Sequence, residues 1–481
     1  MTRADFATII PVLIVTLAAC TVLLAEAFRR AGDRMPHGLF GVIGLGGAIY
    51  TSWMQWGLNR TGFGVIVADD YALFFNIAIC GMGLLTILLS SGTAERDRLP
   101  LGEYYALMLF SIAGMMLMGS TRDLLVIFIA LEIMSLGVYV LTAIKRGSEE
   151  GAEAGFKYFV LGGFSSAFFL YGIALAYAAT GSTKLDEINL LVASSAQQPD
   201  LQLLLMLSMI LLLVGFAFKV SAVPFHMWTP DAYQGAPTLV TGFMSTAVKA
   251  AAFAAFARVF LTALEPFRGD WLPILSAVTG LTMVVGTVIG VAQTNVKRML
   301  AYSSIAHAGY LLLGLLAANT AGKSAILFYV VAYAVTNLGA FGVLAALSTN
   351  DRPHDDIRDF AGLWTERPGM AALLTVFLLS LGGFPPTVGF IAKWAIFNAA
   401  VQQQLYSLAI LGVLTSVVSV FFYLRVVVMM YMADEKAPGQ RPAAPRIALA
   451  GMLIALAAVF YLGVMPGGLL NVAKASVANL F

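Results

Sequence analysis

The sequence contains little charge for its length. Of its 481 residues only 11% are Asp, Glu, Lys or Arg, whereas a soluble globular chain usually carries about 25%. A folded soluble chain of this size needs a polar surface, which so few charges cannot provide. Hydrophobic residues make up 60% of the chain and the mean hydropathy is +0.86. The composition therefore excludes a soluble enzyme or a disordered scaffold and predicts a polytopic membrane protein.

Residues and motifs that bind cofactors are also scarce. Cys20 and Cys80 are the only cysteines and lie in apolar runs, which excludes a disulfide framework and a thiolate cluster. Only four histidines occur, and no HExxH, CxxCH, P-loop or GxGxxG motif is present. The net charge of +2 gives no strong basic face for nucleic acid. We therefore expect no bound metal, haem, iron–sulfur cluster or nucleotide, and no nucleic-acid partner.

Long apolar runs dominate what remains. A bilayer crossing needs ~20 mostly apolar residues, and the runs are continuously apolar, as in 203–218, which favours helices over the alternating strands of a barrel. The predicted fold is an all-α polytopic membrane protein. The fourteen predicted spans are 6–28, 37–56, 71–90, 104–120, 124–144, 155–179, 201–234, 238–262, 271–293, 298–317, 323–348, 369–401, 405–431 and 446–465. The first begins at an acid and is too long for a signal-peptide core, so it is interpreted as a mature span.

The basic residues of the loops predict the orientation. If the N-terminus lies outside, fifteen of the 28 Lys and Arg residues fall in inside loops and seven in outside segments. Loops that stay inside carry the excess of positive charge. The even number of spans returns the chain to the same side. Both termini are therefore predicted to lie outside, on the periplasmic face of a bacterial inner membrane.

Six basic residues and the acid Glu132 are singled out among the charges within the predicted spans. Each charge near the bilayer centre costs roughly 2.5–3.5 kcal/mol on insertion scales, and such residues usually mark ion or proton paths. Glu132 lies about eight residues into its span, ~12 Å deep, and Lys249 lies mid-span, so neither reaches the surface easily. We interpret both as functional, although a buried ion pair that fixes packing is an alternative for Glu132. The seven are Glu132, Lys157, Lys219, Lys249, Arg258, Lys393 and Arg425.

Two of the spans are interrupted by proline or glycine. Proline removes a helical hydrogen bond and clashes with the preceding turn, so the helix after Lys219 is expected to break at about 220–224, near Pro224. The second break precedes Lys393. Broken helices persist at membrane depth only inside protein or beside a wet cavity, and a matching pair is typical of repeat-based transporters. The residues that break the second helix are Gly382, Gly383, Pro385 and Pro386.

The spacing of the breaks predicts an internal repeat. They fall in the seventh and twelfth spans, five spans apart, and an odd number of helices per repeat reverses the orientation of the second copy. The predicted organisation is three N-terminal helices in 1–100, a first repeat in 101–265, an inverted second repeat in 266–432 and a last helix in 433–481.

The other charged and histidine residues within the spans are less informative. Lys157 follows a glutamate by four residues, so a helix-end ion pair and a channel role both remain open. For His226 and His307, packing and proton transfer remain open. Arg258 and Arg425 lie near helix ends, where we expect them to extend toward the membrane surface as anchors.

These residues together resemble a known family. Glu132, Lys219 before Val-Pro-Phe-His-Met-Trp-Thr-Pro-Asp, Lys249 mid-span, and Gly-Phe-Pro-Pro-Thr-Val-Gly-Phe-Ile-Ala before Lys393 resemble the antiporter-like subunits of respiratory complex I, NADH:quinone oxidoreductase. Those subunits are similar to the large subunits of multi-subunit cation/proton antiporters. The chain looks most like the shortest of three bacterial paralogues, which has a lysine on its second broken helix. An antiporter subunit and a purely structural membrane-arm subunit are the alternatives.

The resemblance implies a role for each matching residue. Glu132 and Lys219 correspond to the acid–lysine pair of the first half-channel, Lys249 to the central lysine and Lys393 to the lysine on the exit side. Lys157 matches an additional family lysine. The histidines His226 and His307 resemble those on the polar axis.

The resemblance also implies an activity and its partners. The expected activity is translocation of protons through two half-channels joined by a line of buried lysines. Redox chemistry elsewhere in the complex would drive it, which makes this chain a subunit of a translocase without its own redox site. NAD, FMN, iron–sulfur clusters and quinone would act in the complex and none would be bound by this subunit. The expected partners are other membrane-arm subunits, including another antiporter-like subunit and the small membrane subunits, and membrane lipid.

Overall fold

The computed structural model describes residues 3–30, 35–195, 198–348, 355–433 and 443–478. The α-helices in these ranges are α1 (Arg3–Ala27), α2 (His37–Met54), α3 (Asp70–Ser90), α4 (Thr93–Arg96), α5 (Leu101–Gly119), α6 (Leu124–Thr142), α7 (Glu149–Thr180), α8 (Leu185–Ser194), α9 (Pro199–Lys219), α10 (Trp228–Gly235), α11 (Thr238–Phe243), α12 (Lys249–Arg258), α13 (Arg268–Ala292), α14 (Val296–Ala317), α15 (Thr320–Leu347), α16 (Leu363–Glu366), α17 (Pro368–Gly382), α18 (Val388–Gln402), α19 (Tyr406–Met432), α20 (Arg446–Val464) and α21 (Gly467–Ala478).

Short segments of other kinds complete the chain. Two strands, β1 (Arg60–Gly62) and β2 (Ile66–Ala68), form an antiparallel hairpin between α2 and α3 that the sequence did not predict. Helical segments of other types are the π-helices Met244–Val248 and Val259–Ala263 and the 3₁₀ helices Glu265–Phe267 and Ile357–Phe360. The loop cations Arg34, Arg352, Lys436 and Arg441, which contributed to the predicted orientation, lie outside the described residues.

The predicted all-α polytopic membrane fold is confirmed. Twelve helical segments in the described part of the chain are long and apolar enough to cross a bilayer. The 18-residue helix α2 and the pair α17 and α18, which are shorter apolar helices, occupy the other two predicted positions. The total of fourteen spans and the inverted repeats stay predictions. Helix α21 follows the last predicted span and was not anticipated.

Both predicted helix breaks are present. Helix α9 ends at Lys219 and α10 begins at Trp228, while α17 ends at Gly382 and α18 begins at Val388. Gly383 has φ +88°, a left-handed conformation that L side chains rarely adopt, and a Cβ there would lie 3.0 Å from the Lys393 side chain. The second break therefore requires glycine both for its backbone and for the space that the lysine occupies.

Side chains satisfy part of the backbone at the first break. The Val223 N–H donates to Thr282 Oγ1 at 2.9 Å, and the Trp228 Nε1–H donates to the carbonyl of Phe218 at 3.1 Å. Backbone groups freed at membrane depth need such partners because lipid supplies none. The break is thus held inside the protein, as the sequence predicted.

The centre of the molecule is formed by two wholly buried helical segments. Thr238–Ala263 and α14 are buried throughout their most apolar windows, whereas α1 and α20 are largely exposed. Helix α14 packs against α13 and α15. The outer helices present apolar side chains to lipid, and the central segments carry Lys249 and His307.

The central segment Thr238–Ala263 is irregular at two places. The first π-helix ends immediately before Lys249, and the second begins immediately after Arg258. Single turns of π-helix occur mostly inside α-helices and often at functional sites. The irregular turns therefore bracket the stretch that carries both cationic residues.

Arg258 does not extend to the membrane surface as expected. Its side chain is 0% exposed and donates to both carboxylate oxygens of Asp69, at 2.8 and 2.9 Å. A further bond reaches the carbonyl of Gly119 at 3.0 Å. Asp69 also caps the N-terminus of α3 by accepting from the Ala72 N–H. The expectation was wrong because the position of Arg258 near a helix end does not reveal its partner. That partner, Asp69, lies at the start of a helix that is distant in sequence. Arg425 instead donates to the carbonyls of Val291 and Gln293.

Candidate functional site

Three of the predicted site lysines are deeply buried. Lys219 at the end of α9 is 1% exposed, Lys249 at the start of α12 is 3% exposed and Lys393 on α18 is 5% exposed. No carboxylate lies within 4 Å of any of their amines in the described ranges. Each amine is instead held by neutral oxygen atoms. Burying a charged group without a counter-charge is costly in a membrane protein.

Lys219 contacts two side chains of α6. Its Nζ donates to Ser135 Oγ at 2.8 Å and to Tyr139 Oη at 3.0 Å. Glu132 lies one turn before Ser135 on the same helix and accepts a 2.5 Å hydrogen bond from Ser166 Oγ on α7. The expected direct pair of Glu132 with Lys219 is therefore not formed in this structure. Ser135, one turn after Glu132, accepts from the lysine instead.

Stacked aromatic rings surround the Lys219 site. The Trp228 ring stacks on Tyr158 at 4.1 Å between centroids, and Tyr158 meets the Tyr139 ring edge-on at 4.6 Å. Phe218, the residue before Lys219, lies 5.4 Å from Trp228. Such rings contribute large buried area and fixed geometry. They hold the Tyr139 hydroxyl in position at the end of α9.

Lys249 contacts the middle of α14. Its Nζ donates to the carbonyl oxygen of Ser304 at 2.7 Å and to the Ser304 hydroxyl at 2.6 Å. The carbonyl belongs to the interior of α14, where the serine side chain turns toward the amine. The predicted central lysine is thus attached to a second buried helix by two short hydrogen bonds.

A polar network continues from this point along α14. Ser303, next to the lysine's partner, is hydrogen-bonded to Tyr423 Oη at 2.5 Å. The same hydroxyl lies 3.3 Å from His307 Nε2, while His307 Nδ1 lies 2.6 Å from Tyr329 Oη. Both imidazole nitrogens therefore have tyrosine partners. A buried histidine with a partner on each nitrogen can accept a proton on one side and release one on the other.

Lys393 lies beside this network, and no hydrogen bond joins it to His307 within the described residues. Its Nζ donates to the carbonyl of Gly382 at 3.0 Å and to Ser416 Oγ at 2.8 Å. The amine also lies 5.5 Å from the centre of the Tyr310 ring, and that ring lies 5.6 Å from the His307 ring. The carbonyl of Gly382 is free to accept because α17 ends there. The break in the helix thus supplies the lysine's partner.

The Lys219 site and the Lys249 site are two separate hydrogen-bonded groups in the described part of the chain. No direct hydrogen bond joins Lys219 to Lys249 within the described ranges. The hydroxyls of Ser221 and Thr229, in and just after the first break, are buried and form no hydrogen bond within the described ranges, while the buried hydroxyl of Tyr233 lies close to Ser304. Buried hydroxyls are nearly always hydrogen-bonded, to protein or to ordered water. These three provide polar atoms in the stretch that follows Lys219.

The residues predicted with open alternatives divide into two groups. Lys157 is 43% exposed and pairs with Glu153 at 2.7 Å and with Asp231 at 3.0 Å, and Asp231 also binds Arg298 at 2.7 Å. The helix-end pair is therefore present, in a partly exposed ion-pair network that includes Asp231 and Arg298. His226 is half-buried in the first break, and its Nδ1 has no partner among the described side chains. His307, by contrast, lies inside the network.

Several site residues were missed by sequence reasoning. Ser135 and Tyr139 follow Glu132 at i+3 and i+7, which places all three on one face of α6. That spacing was a usable signal. Nothing local identified Ser304 as the Lys249 partner or Tyr423 as the bridge to His307, because those contacts join helices far apart in sequence.

Comparison with known proteins is consistent with this arrangement. Residues 121–419 match the family model for the NADH:quinone oxidoreductase/Mrp antiporter transmembrane region. The chain is 42% identical over 472 residues to NADH-quinone oxidoreductase subunit N of Trichlorobacter lovleyi, covering 98% of this chain and 96% of that one. It is 43% identical over 495 residues to subunit N of Salinibacter ruber, covering 97% of both chains.

A solved structure shows the same similarity. A chain of respiratory complex I from Thermus thermophilus with bound aureothin matches with a TM-score of 0.80 and 34% identity. The match covers 97% of this chain and 99% of the other. Sequence and fold thus agree over nearly the full length.

Proposed function

The chain belongs to the NADH:quinone oxidoreductase/Mrp antiporter family, within its subunit N group, and on that premise we propose how it moves protons. Proton translocation is the general function of this antiporter-like membrane subunit, which belongs to an oxidoreductase complex. The proposal is that Lys219, Lys249 and Lys393 carry protons in turn, with Glu132 controlling the first step. Two half-channels would connect this buried line to the two faces of the membrane.

One observation carries the proposal. Helix α14 is buried along its length and contacts Lys249 through Ser304, while its His307 and Tyr310 lead toward Lys393. A purely structural interior would have no need for lysines held only by neutral oxygens, because each such charge is costly in the membrane. A path for protons explains why the polar groups follow one another along one helix.

The first step would depend on the distance between Glu132 and Lys219. Side chains three residues apart on a helix have Cβ atoms ~5–6 Å apart, and Lys219 already touches Ser135 at 2.8 Å. A rotamer change of Glu132 then suffices to form the ion pair and hold Lys219 as a cation. When Glu132 returns to Ser166, the charge on Lys219 loses its counter-charge. Its proton can then move toward Lys249.

The link between Lys219 and Lys249 would be mediated by water. The hydroxyls of Ser221, Thr229 and Tyr233 supply the hydrogen-bonding groups that ordered water needs in a buried site. His226 lies in the same break and would lead from it toward the surface. The second transfer would run from Lys249 through the α14 network, with His307 as relay, to Lys393.

The energy required lies within reach of one ion pair. Moving one charge against 100 mV costs about 2.3 kcal/mol, and breaking a buried pair by removing a partner costs about 3–5 kcal/mol. The energy needed to separate the Glu132–Lys219 pair is therefore large enough to couple one transfer to work that the redox reaction supplies. Redox chemistry elsewhere in the complex would supply the signal.

The surroundings follow from the same proposal. With both termini outside, uptake would occur from the inside and release on the outer face near Lys393. The subunit would assemble with other membrane-arm subunits, including an antiporter-like neighbour and small membrane subunits. NAD, FMN, iron–sulfur clusters and quinone would remain in other subunits, and Lys157 would act at the surface network with Asp231 rather than on the buried line.

The direct test uses the intact complex in membrane vesicles. Lys219→Ala and Lys249→Ala variants are compared for assembly, quinone reduction and proton pumping. The proposal predicts normal assembly with pumping strongly reduced in both. Unchanged pumping with normal assembly contradicts it. Poor assembly with normal pumping per assembled complex supports a structural role for the lysines instead.

A further inference from the structure

Two cavities join where the loops before α5 and after α6 meet. One is a polar chamber of about 700 Å³ bounded by the ends of α1, α2 and α5. The other is an apolar groove of about 610 Å³ between α5, α6 and α7. Pro100, Glu103 and Arg146 line both, so the two spaces adjoin each other. A polar space beside an apolar one matches the two parts of an amphiphile, a polar headgroup and a hydrocarbon chain.

The charges of the chamber are only partly used within the protein. The carboxylate of Glu26 lies 2.9 Å from Arg29 Nη2 and 2.8 Å from His37 Nε2. Arg146 is 84% exposed and lies 3.8 Å from Glu103, beyond hydrogen-bonding distance. Arg98 has no ion-pair partner within 4 Å in the described part of the chain, and it lines the same chamber. Two guanidinium groups therefore have donors to spare.

Apolar side chains line the groove at hydrocarbon depth. Phe110, Val140, Phe156 and Phe159 face it from three helices. From Glu103 to Phe110 the wall of α5 rises ~10 Å at 1.5 Å per residue. Three of these side chains are highly exposed, Val140 at 53%, Phe156 at 69% and Phe159 at 52%. The groove is therefore open toward the surrounding apolar phase and closed toward the protein.

We propose that the chamber and groove together bind one membrane glycerophospholipid with a zwitterionic headgroup. Its phosphate lies against Arg98 and Arg146, and its ammonium lies near Glu103. One acyl chain follows the groove past Phe110 and Val140. Both signs of charge in the chamber match such a headgroup, and basic pockets between transmembrane helices at the inner surface are known to hold lipid phosphates.

The charge pattern favours a lipid over a protein helix. A neighbouring helix would fill the groove but would not need two arginines with spare donors at its end. The groove also reaches Tyr139, whose hydroxyl is bonded to Lys219 at 3.0 Å. An acyl chain there keeps water on the lipid side away from that bond. This consequence rests on the proposed function, whereas lipid binding itself does not.

The test uses the purified complex in lipid nanodiscs containing phosphatidylethanolamine with a photoreactive diazirine in one acyl chain. After irradiation, the labelled peptides of this chain are mapped and normalised to assembled complex. Labelling is expected within 106–110 and 139–159. It should fall about fivefold for each arginine removed in Arg98→Gln and Arg146→Gln variants. Arg358→Gln, an exposed arginine outside the cavity, serves as the matched control and should not change labelling.

A second variant tests the groove without touching the charges. Val140→Trp fills the space and should abolish labelling there while leaving assembly intact. The proposal is overturned if labelling of these peptides is unchanged in both arginine variants and in Val140→Trp. It is also overturned if the groove peptides cross-link to another subunit instead of lipid. None of these readouts depends on proton pumping, so failure of the proposed function would leave them unaffected.

Discussion

Lys249 Nζ donates hydrogen bonds to both oxygen atoms of Ser304, to the carbonyl at 2.7 Å and to the hydroxyl at 2.6 Å. This contact joins the two most deeply buried helical segments of the molecule. It places the buried amine one helical turn before His307, which lies on the same helix as Ser304. The proposed transfer from Lys249 along α14 depends on this contact.

Removing the Ser304 hydroxyl is predicted to slow proton transfer from Lys249. The Ser304→Ala variant keeps the carbonyl contact but loses one hydrogen bond to a charged group, which contributes about 1.5–3 kcal/mol. Pumping should fall roughly tenfold while quinone reduction and assembly persist. Vesicle pumping assays measure this directly. Ser324→Ala, a buried serine on α15 that bonds only its own helix, is the control, and an equal loss in both variants would contradict the prediction.

The contacts of Lys219 predict that Ser135 and Tyr139 matter as much as Glu132. Ser135→Ala and Tyr139→Phe each remove one acceptor of the Lys219 amine. The charged lysine then loses stabilisation, so we expect both variants to lower the pumping rate several-fold without loss of assembly. Glu132→Gln should have a similar effect by removing the counter-charge. Normal pumping in Ser135→Ala and Tyr139→Phe, together with a strong loss in Glu132→Gln, would contradict this prediction. It would show that the acid alone controls Lys219.

The Asp69–Arg258 pair is predicted to stabilise the central segment. Asp69→Asn leaves the fully buried Arg258 without its counter-charge, and breaking such a pair costs about 3–5 kcal/mol. The fraction of assembled complex that survives heating should fall, while pumping per surviving complex stays normal. Asp69→Asn with Arg258→Met should recover part of the loss, because the stranded charge is gone. A double variant no better than the single would show that the pair contributes little.

The same pair has a pH dependence of definite sign. Burial raises the pKa of the Asp69 carboxyl, but the Arg258 guanidinium and the Ala72 N–H outweigh burial and hold that pKa below its ordinary value. A depressed folded pKa gives stability that is present above the unfolded pKa and lost as pH falls through the folded one. The heat stability of the wild type should therefore drop below about pH 4 by a component that Asp69→Asn lacks.

Sequence reasoning went furthest where one residue determines local structure. Proline and glycine located both helix breaks, because their backbone effects do not depend on distant partners. The buried lysines stood out because charge is rare in apolar runs. The polar contacts around those lysines depend on how the helices assemble. One example is the contact of Tyr423 with His307, which are 116 positions apart in sequence. The i+3 and i+7 spacing on α6 was a local signal that went unused.

The failures also have physical causes. Arg258 was expected at the surface because it lies near a helix end, yet Asp69, nearly 190 positions earlier, pairs with it in the interior. Glu132 was expected to touch Lys219, but Lys219 donates to Ser135 and Tyr139 while Glu132 accepts from Ser166. A charge in a span shows that a partner is needed, whereas the fold decides which residue provides it.

We expect Lys249→Arg to stop proton transfer at the central lysine, because Lys249 must release a proton in each cycle. Arginine keeps the positive charge and the donors toward Ser304 but does not deprotonate in proteins. In the intact complex reconstituted in liposomes, the number of protons pumped per NADH oxidised is measured for wild type and variant at equal quinone reduction. The account predicts a clearly lower ratio in Lys249→Arg with assembly preserved. An unchanged ratio would contradict it.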